Sequence, residues 1–434
     1  MQSTVTNTLV ARPKLYIPDI LIGIVMLLVL FRGFIENFIG HGTLLVDCFF
    51  ILLLFWGIYA CYIGKAKVNK HQTLLTLYIV WSLLCLLTGF VQVLCSKTTL
   101  YAAAIGFRNN NIYTGLFFIA IIWLDRNGVK RFYKLLVNCG VIICAFAIVQ
   151  YFFRDQLPDS LLFLNDEGNF GLYGTDVIRV TGLMGNTIIF SGFTIIICSL
   201  IWGELITCKY RPIVLWWKLI IVIIANILTF SRAANVGMIA VFLLEFILYG
   251  CVRGKALKYI AVSGFVLLIG IALVLILFGD SVMVQRIFGS NTVWNIGSDT
   301  ARFSMISDAI AIIKDNWLFG TLMGQSNSIV TDGVFWAYIM EMGIPVFIVY
   351  CMLLFFIFKI ALKACKSADK LTCTISIGYI GMNAYLLAAS IINSAYSARS
   401  VLVFVWLVGG MVVSMTRNTN NDKKITYRRC INDS

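Results

Sequence analysis

The sequence predicts an all-α protein that crosses a membrane about twelve times and carries one large external loop. Of its 434 residues, 60% are hydrophobic and 12% are charged, whereas soluble domains contain about 25% charged residues. Apolar blocks long enough to span the hydrocarbon of a bilayer, about 20 residues each, recur from one end of the chain to the other. Basic residues concentrate in alternate loops. We therefore expect one integral membrane domain over residues 1–434.

The apolar blocks divide the chain into twelve predicted spans. No small-residue cleavage signal follows the first block, so no removed signal peptide is expected. The predicted spans cover residues 16–34, 43–63, 73–95, 109–124, 134–153, 182–204, 213–230, 233–250, 259–279, 334–357, 371–392 and 400–416.

The basic residues predict the orientation of these spans. The formal net charge is +14, and if the N-terminus is cytoplasmic, 24 of the 34 lysines and arginines lie in inner segments. Cytoplasmic loops of membrane proteins carry such an excess. We expect a multi-pass protein with both termini cytoplasmic and no nucleic-acid partner.

Arginine dominates the ten cations on the predicted outer side. Its planar fork binds phosphate through two hydrogen bonds and stays charged in a partly dry site, so an external cavity ringed by arginines would suit a phosphate or pyrophosphate. The alternative for any one of them is a helix cap or an ion pair. The ten are Arg32, Lys97, Arg108, Arg154, Arg179, Arg232, Arg286, Arg302, Lys314 and Arg399.

The longest external loop, residues 280–333 between the ninth and tenth spans, is expected to form part of an active site. From Thr300 to Trp317 its apolar residues recur at spacings of three and four, which predicts an amphipathic helix. Asp299 is the expected N-cap and Gly320 the expected end. This helix would hold Arg302 beside a site, or would be a solvated loop helix. The apolar stripe consists of Phe303, Ile306, Ile310, Ile313 and Trp317.

Four short segments stand in a fixed order on the predicted outer side. Arg179 opens Arg-Val-Thr-Gly-Leu-Met-Gly-Asn, and Arg232 lies in the turn Thr-Phe-Ser-Arg. Arg302 heads the loop helix, which leads into Asp-Asn-Trp-Leu-Phe-Gly. Glu341 opens Glu-Met-Gly-Ile in the tenth span.

Together these segments resemble the O-antigen ligase and polysaccharide polymerase superfamily. That family shows an Arg-x-x-Gly segment followed by Asn, a Thr-x-Ser-Arg turn, an external Arg before Trp/Pro-Leu-Phe-Gly, and a closing helix ending Glu-x-Gly-Ile. The resemblance covers roughly residues 179–343 well and the remaining spans loosely.

The resemblance implies a glycosyltransferase of the bacterial inner (cytoplasmic) membrane. It moves a glycan from undecaprenyl pyrophosphate to an acceptor, without a nucleotide sugar, a metal or another cofactor. The chain has only two histidines and no Asp-x-Asp motif on the predicted outer side. Where the family's ligases carry a histidine before the closing helix, this chain has Thr331-Asp332-Gly333. That difference favours a polymerase over a ligase.

In this reaction a hydroxyl of one lipid-linked repeat unit attacks a glycan held on undecaprenyl pyrophosphate, and the lipid carrier departs. Arg179, Arg232 and Arg302 are the expected ligands of the pyrophosphate, and Arg286 is a weaker fourth. The expected partners are the undecaprenyl-pyrophosphate-linked oligosaccharide, membrane lipid, a flippase and a chain-length regulator.

The attacking hydroxyl also needs a base. Asp332, at the position nearest to the family's histidine, is the first candidate, and Glu341 is the second. Asp332 could instead cap the helix that follows it.

Two other functions remain open. An O-antigen-type ligase would differ only in its acceptor. A flippase or secondary transporter for lipid-linked oligosaccharide would also have about twelve helices and a basic cavity, but transporters typically show repeats and ionisable groups near the midplane. The predicted spans contain few such groups.

Overall fold

The computed structural model describes residues 17–39, 42–62, 72–162, 179–208, 210, 212–278, 293–326, 333–391 and 395–432. Within these ranges the regular structure is helical and includes no strand, so the all-α fold class is confirmed. The α-helices are α1 Ile17–Leu30, α2 Arg32–Ile39, α3 Gly42–Tyr62, α4 Gln72–Leu94, α5 Leu100–Phe107, α6 Gly115–Trp123, α7 Arg126–Phe152, α8 Asp159–Leu162, α9 Thr187–Thr207, α10 Ile213–Ile227, α11 Arg232–Val252, α12 Ala256–Phe278, α13 Val293–Asp315, α14 Val334–Met342, α15 Ile344–Ala364, α16 Lys370–Ala389 and α17 Arg399–Asn432.

Six of these helices are long and apolar enough to cross a membrane, judged by length and composition within the described ranges: α4, α7, α9, α11, α15 and α16. Shorter apolar stretches lie in α1, α3, α10, α12 and α17. The chain therefore has the helices of a membrane protein. The count of twelve crossings and their orientation stay predictions.

The fourth and tenth predicted spans do not form single long helices. In the fourth, Arg108–Ile112 forms a π-helix and α6 contains only nine residues, about 14 Å of helix against a hydrocarbon core of about 30 Å. The tenth is broken at Gly343, whose φ is 78°. The long apolar helix therefore begins at Ile344, and α14 is a separate short helix ahead of it.

Helix α9 lies at the centre of the bundle. It packs against α7, α10, α11, α16 and α17, and every residue from Phe190 to Ile201 is buried. Helix α4 lies at the periphery and exposes Leu83, Leu87 and Phe90. Such an apolar outer surface matches the hydrocarbon of a bilayer.

One carboxyl group lies deep between the central helices. Glu245 of α11 is fully buried and contacts the hydroxyl of Ser199 in α9. Ser199 also donates a hydrogen bond to the carbonyl oxygen of Gly378 in α16 at 2.7 Å. This polar contact joins three helices inside an otherwise apolar bundle.

Candidate functional site

The segment ahead of α9 is fastened to the turn between α10 and α11. The backbone N–H of Val180 donates to the carbonyl oxygen of Leu228 at 3.2 Å, and Arg179 Nε donates to the carbonyl oxygen of Thr229 at 2.9 Å. Arg232 is the first residue of α11 and lies three positions after Thr229. Two of the predicted pyrophosphate ligands therefore stand on adjoining pieces of backbone.

A network of hydrogen bonds shapes the turn that carries them. Asn226 accepts from Thr194 Oγ1 at 2.7 Å and donates to Asn235 Oδ1 at 2.9 Å, and its carbonyl oxygen accepts from Thr229 Oγ1 at 2.6 Å. Ser231 is the N-cap of α11, a position that serine favours because its hydroxyl satisfies a free backbone N–H. These groups are buried and bonded, so the turn is held in place. We call this turn, residues 228–232, together with Arg179 the arginine floor.

Arg302 of α13 acts electrostatically on this floor from a distant part of the sequence. The pKa of Arg179 is lowered to about 10, first by burial of its guanidinium and second by the positive charge of Arg302. Arg179 therefore stays protonated at neutral pH. Within the described ranges its guanidinium donates one hydrogen bond, to Thr229, and the terminal nitrogens of the fork are left for another acceptor. A buried, protonated arginine on which a second positive charge acts suits an anion.

Helix α13 differs from the predicted loop helix at its start. It begins at Val293, so Asp299 lies inside the helix, and its prediction as the N-cap is wrong. Arg302 correspondingly lies in the third turn. At the other end, α13 stops at Asp315, and Gly320 has the positive φ of 66° expected of a residue that terminates a helical segment.

The predicted apolar stripe of α13 is only partly covered by the protein. Phe303 is 73% exposed and Trp317 is 54% exposed, whereas Ile313 packs beside Met305 and Ala309, which contact Met340 of α14. The small side chain of Ala309 lets α14 approach closely. Helix α13 therefore buries a second apolar line against α14, and a membrane-facing role for the exposed part of the stripe stays a prediction.

The chain after α13 docks onto α4 and α14 through its backbone. The N–H group of Thr321 donates to the carbonyl oxygen of Met340 at 2.6 Å, and the N–H group of Ile344 donates to the carbonyl oxygen of Trp317 at 2.8 Å. Gln92 of α4 adds a side-chain clamp, in three hydrogen bonds. Its Nε2 donates to the carbonyl oxygens of Phe319 and Glu341, each at 2.7 Å, and its Oε1 accepts from the N–H of Met323 at 3.0 Å.

Glu341 holds the same segment from the opposite side. Its Oε1 accepts from Ser326 Oγ at 2.5 Å and from the N–H of Gly324 at 3.2 Å. Its Oε2 accepts from Asn110 Nδ2 at 2.9 Å. The residue is only 7% exposed. A carboxylate with three donors and little exposure is well suited to positioning a segment, and these contacts favour that role over the role of base.

Backbone packing around Gly324 leaves no room for a side chain. Its φ is 77°, and a Cβ atom would overlap the carbonyl group of Ala102 in α5. This close approach explains why the chain has glycine here. It also places Gly324 against α5, whose chain continues into the π-helix from which Asn110 reaches Glu341.

The predicted site residues divide into three groups. Arg179, Arg232 and Arg302 belong to the floor and to the helix beside it. Glu341 belongs to the neighbouring positioning cluster. Arg286 and Asp332 lie outside the described residues. Sequence reasoning missed Gln92, Asn110 and Ser326, although an amide within an otherwise apolar span was a readable signal at Gln92.

No protein-family model matches this chain, and a comparison with curated proteins finds no match. The resemblance carried by the four segments therefore stays a prediction.

Proposed function

We propose that the protein is a membrane polysaccharide polymerase. It transfers a glycan chain from undecaprenyl pyrophosphate onto a lipid-linked repeat unit at the outer face of the cytoplasmic membrane. The observation that carries the proposal is the hydrogen bond that fastens Arg179 to the turn leading into Arg232, and the positive charge of Arg302 acts on the same guanidinium. Residues expected on chemical grounds to share one ligand come from three separate parts of the chain.

The chemistry needs stabilised charge on the leaving group. The acceptor hydroxyl oxygen forms a bond to the anomeric carbon while the bond from that carbon to the pyrophosphate oxygen breaks. The bonding electrons leave with the pyrophosphate, and the hydroxyl proton goes to a base. Arginines that face the departing oxygens stabilise the charge developing there. The terminal nitrogens of Arg179 have the fork geometry that this contact requires.

Replacing Arg302 tests the proposal. Losing one bidentate contact to a desolvated phosphate should cost about 2–4 kcal/mol, or roughly a hundredfold or more in rate. Arg302→Ala should therefore abolish long surface glycan and accumulate single lipid-linked repeat units. Arg302→Lys should be nearly as poor, because it keeps the charge and loses the fork. The measurement is the glycan ladder of a strain that lacks the native protein and carries each variant at equal abundance.

Arg154→Ala is the matched control. Arg154 also lies on the predicted outer side, in the short turn Arg154–Gln156, and its loss should leave the ladder unchanged. A full-length ladder from Arg302→Ala would remove Arg302 from the pyrophosphate site, and failure of the wild-type chain to restore the ladder would contradict the polymerase proposal. Accumulation of finished polymer on the lipid carrier, in place of single units, would instead indicate a ligase.

A further inference from the structure

A cavity of about 320 Å³ opens beside the arginine floor, on the predicted outer side. It lies where the end of α1, the short helix α2 and the starts of α9 and α17 meet. Its volume falls in the range of about 300–1,000 Å³ that is typical of small-molecule sites. The polar side chains in its wall belong to Arg32, Glu36, Asn186 and Ser400.

The cavity and the arginine floor share one segment of chain. Leu183 to Asn186 line the cavity, and Leu183 follows Arg179 by four residues. Four residues of extended chain reach at most about 14 Å. A ligand in the cavity and a ligand on Arg179 would therefore be close enough to belong to one pair of reacting molecules.

The polar wall has both donors and acceptors and little net charge. Arg32 Nε lies 3.1 Å from Glu36 Oε2, and both side chains are about a third or more exposed. Asn186 Oδ1 accepts from the N–H groups of Ile188 and Ile189 at the start of α9, which leaves its amide N–H groups for another partner. Glu36 disfavours an anion, whereas sugar hydroxyls both donate and accept hydrogen bonds.

We propose that this cavity binds a neutral sugar ring of the acceptor repeat unit. The inference rests on the proposed function, since it assigns the second substrate of the same reaction. The donor's pyrophosphate lies on the arginine floor, and the acceptor sugar lies across the segment 183–186 from it.

Binding of the acceptor's sugar alone tests the assignment. The probe is the lipid-free repeat-unit oligosaccharide of the native polymer, added to the full chain in lipid nanodiscs, with saturation-transfer NMR as the readout. Wild type should show transfer to the sugar protons. Arg32→Ala and Glu36→Ala should weaken binding at least tenfold. Asn186→Asp keeps the oxygen that caps α9 and removes the amide donors, so it should also weaken binding.

Arg126→Ala provides the matched control. It breaks another arginine–carboxylate pair, Arg126 with Asp369 at 2.5 Å, on the predicted inner side. This variant should bind the oligosaccharide as wild type does. Exposed pairs contribute little to stability, so all these variants should fold, and thermal unfolding of each checks that they do.

The outcomes separate this inference from the proposed function. Arg302→Ala should keep oligosaccharide binding while it loses the glycan ladder. Failure of the wild-type chain to restore the ladder, with oligosaccharide binding retained, would contradict the polymerase proposal alone. If wild type fails to bind the oligosaccharide, or if Arg32→Ala and Glu36→Ala bind it as wild type does, the assignment of the cavity is overturned.

Discussion

At the scale of single residues, Gln92 and Glu341 act as a pair of clamps on one stretch of backbone. Gln92 of α4 makes two hydrogen bonds to the stretch and a third to the carbonyl oxygen of Glu341. Glu341 of α14 accepts two from the stretch and a third from Asn110. Buried polar groups are costly unless they are bonded. Each clamp is fully bonded only when α4, α14 and residues 319–326 are all in place. The positions of residues 319–326 are therefore well defined.

Replacing Glu341 distinguishes a clamp from a base. In Glu341→Gln the amide oxygen can still accept from Gly324 and Ser326, and the side chain of Asn110 can turn to offer its own oxygen to the new NH₂ group. We expect this variant to keep most of the glycan ladder. Glu341→Ala leaves three buried donors without an acceptor, at about 1–3 kcal/mol each, and should lower both the unfolding temperature and the ladder.

The Glu341→Gln and Glu341→Ala variants together distinguish a positioning role of Glu341 from a catalytic one. Complete loss of the ladder in Glu341→Gln, with unfolding unchanged from wild type, would assign Glu341 to the chemistry and would contradict the positioning role.

The sequence identified the arginines more readily than the clamps for a physical reason. The cations of the predicted outer side are mostly arginine, whereas lysine is common in the predicted inner loops, and this difference can be read from the sequence. The partners of Glu341 come from α4, from the π-helix and from the segment after α13. Contacts between segments so far apart have no local sequence pattern.

At the scale of elements, α13 shows that spacing identifies a helix more readily than it identifies the residues that the helix buries within the protein. Periodicity identified a helix over residues 300–317, and α13 covers most of that range. Two apolar lines run along it, however, and tertiary packing selected the line with Ala309. A spacing pattern reports which residues share a face, but the neighbouring element decides which face is buried.

Gly324 offers a test of how the segment after α13 docks. Gly324→Ala should be severely destabilising, because the new Cβ atom meets the Ala102 carbonyl and the positive φ also disfavours a side chain. Gly254→Ala is the matched control, since Gly254 has a similar φ of 69° and no heavy atom within 4 Å of the position of a Cβ. It should show the conformational penalty alone, about 1–2 kcal/mol.

Thermal unfolding and abundance of the two variants in membranes measure the difference. Equal destabilisation would mean that residues 321–326 do not pack against α5 as described.

At the scale of the whole molecule, hydropathy predicted where helices occur more reliably than where they are interrupted. Each of the twelve predicted spans contains a helix, because about 20 apolar residues satisfy their backbone hydrogen bonds within a bilayer only by being helical. The breaks at Gly343 and at Arg108–Ile112 depend on how segments pack, and apolarity continues through both. The sequence therefore predicted the helices and their order, and it missed the two short helices beside the candidate site.

Labelling of introduced cysteines tests the predicted orientation. Gln156→Cys and Ala368→Cys place a thiol at exposed positions on the predicted outer and inner sides, respectively. An impermeant thiol reagent applied to spheroplasts should label the first and spare the second, relative to the parent chain with its native cysteines. Lysed cells should allow both to react. The reverse pattern would place the arginine floor on the cytoplasmic side and remove the basis of the proposed reaction.

The positive charge of Arg302 at Arg179 has a consequence for the protein when no substrate is bound. Each of these cations makes the other less favourable, and an anion bound at Arg179 offsets that cost. A ligand that binds only the folded state raises its stability by an amount that grows with ligand concentration relative to Kd. Inorganic pyrophosphate should therefore raise the unfolding temperature of the wild-type protein and leave that of Arg302→Ala unchanged. Simple thermal melts could then rank anionic fragments of the donor before any sugar has been identified.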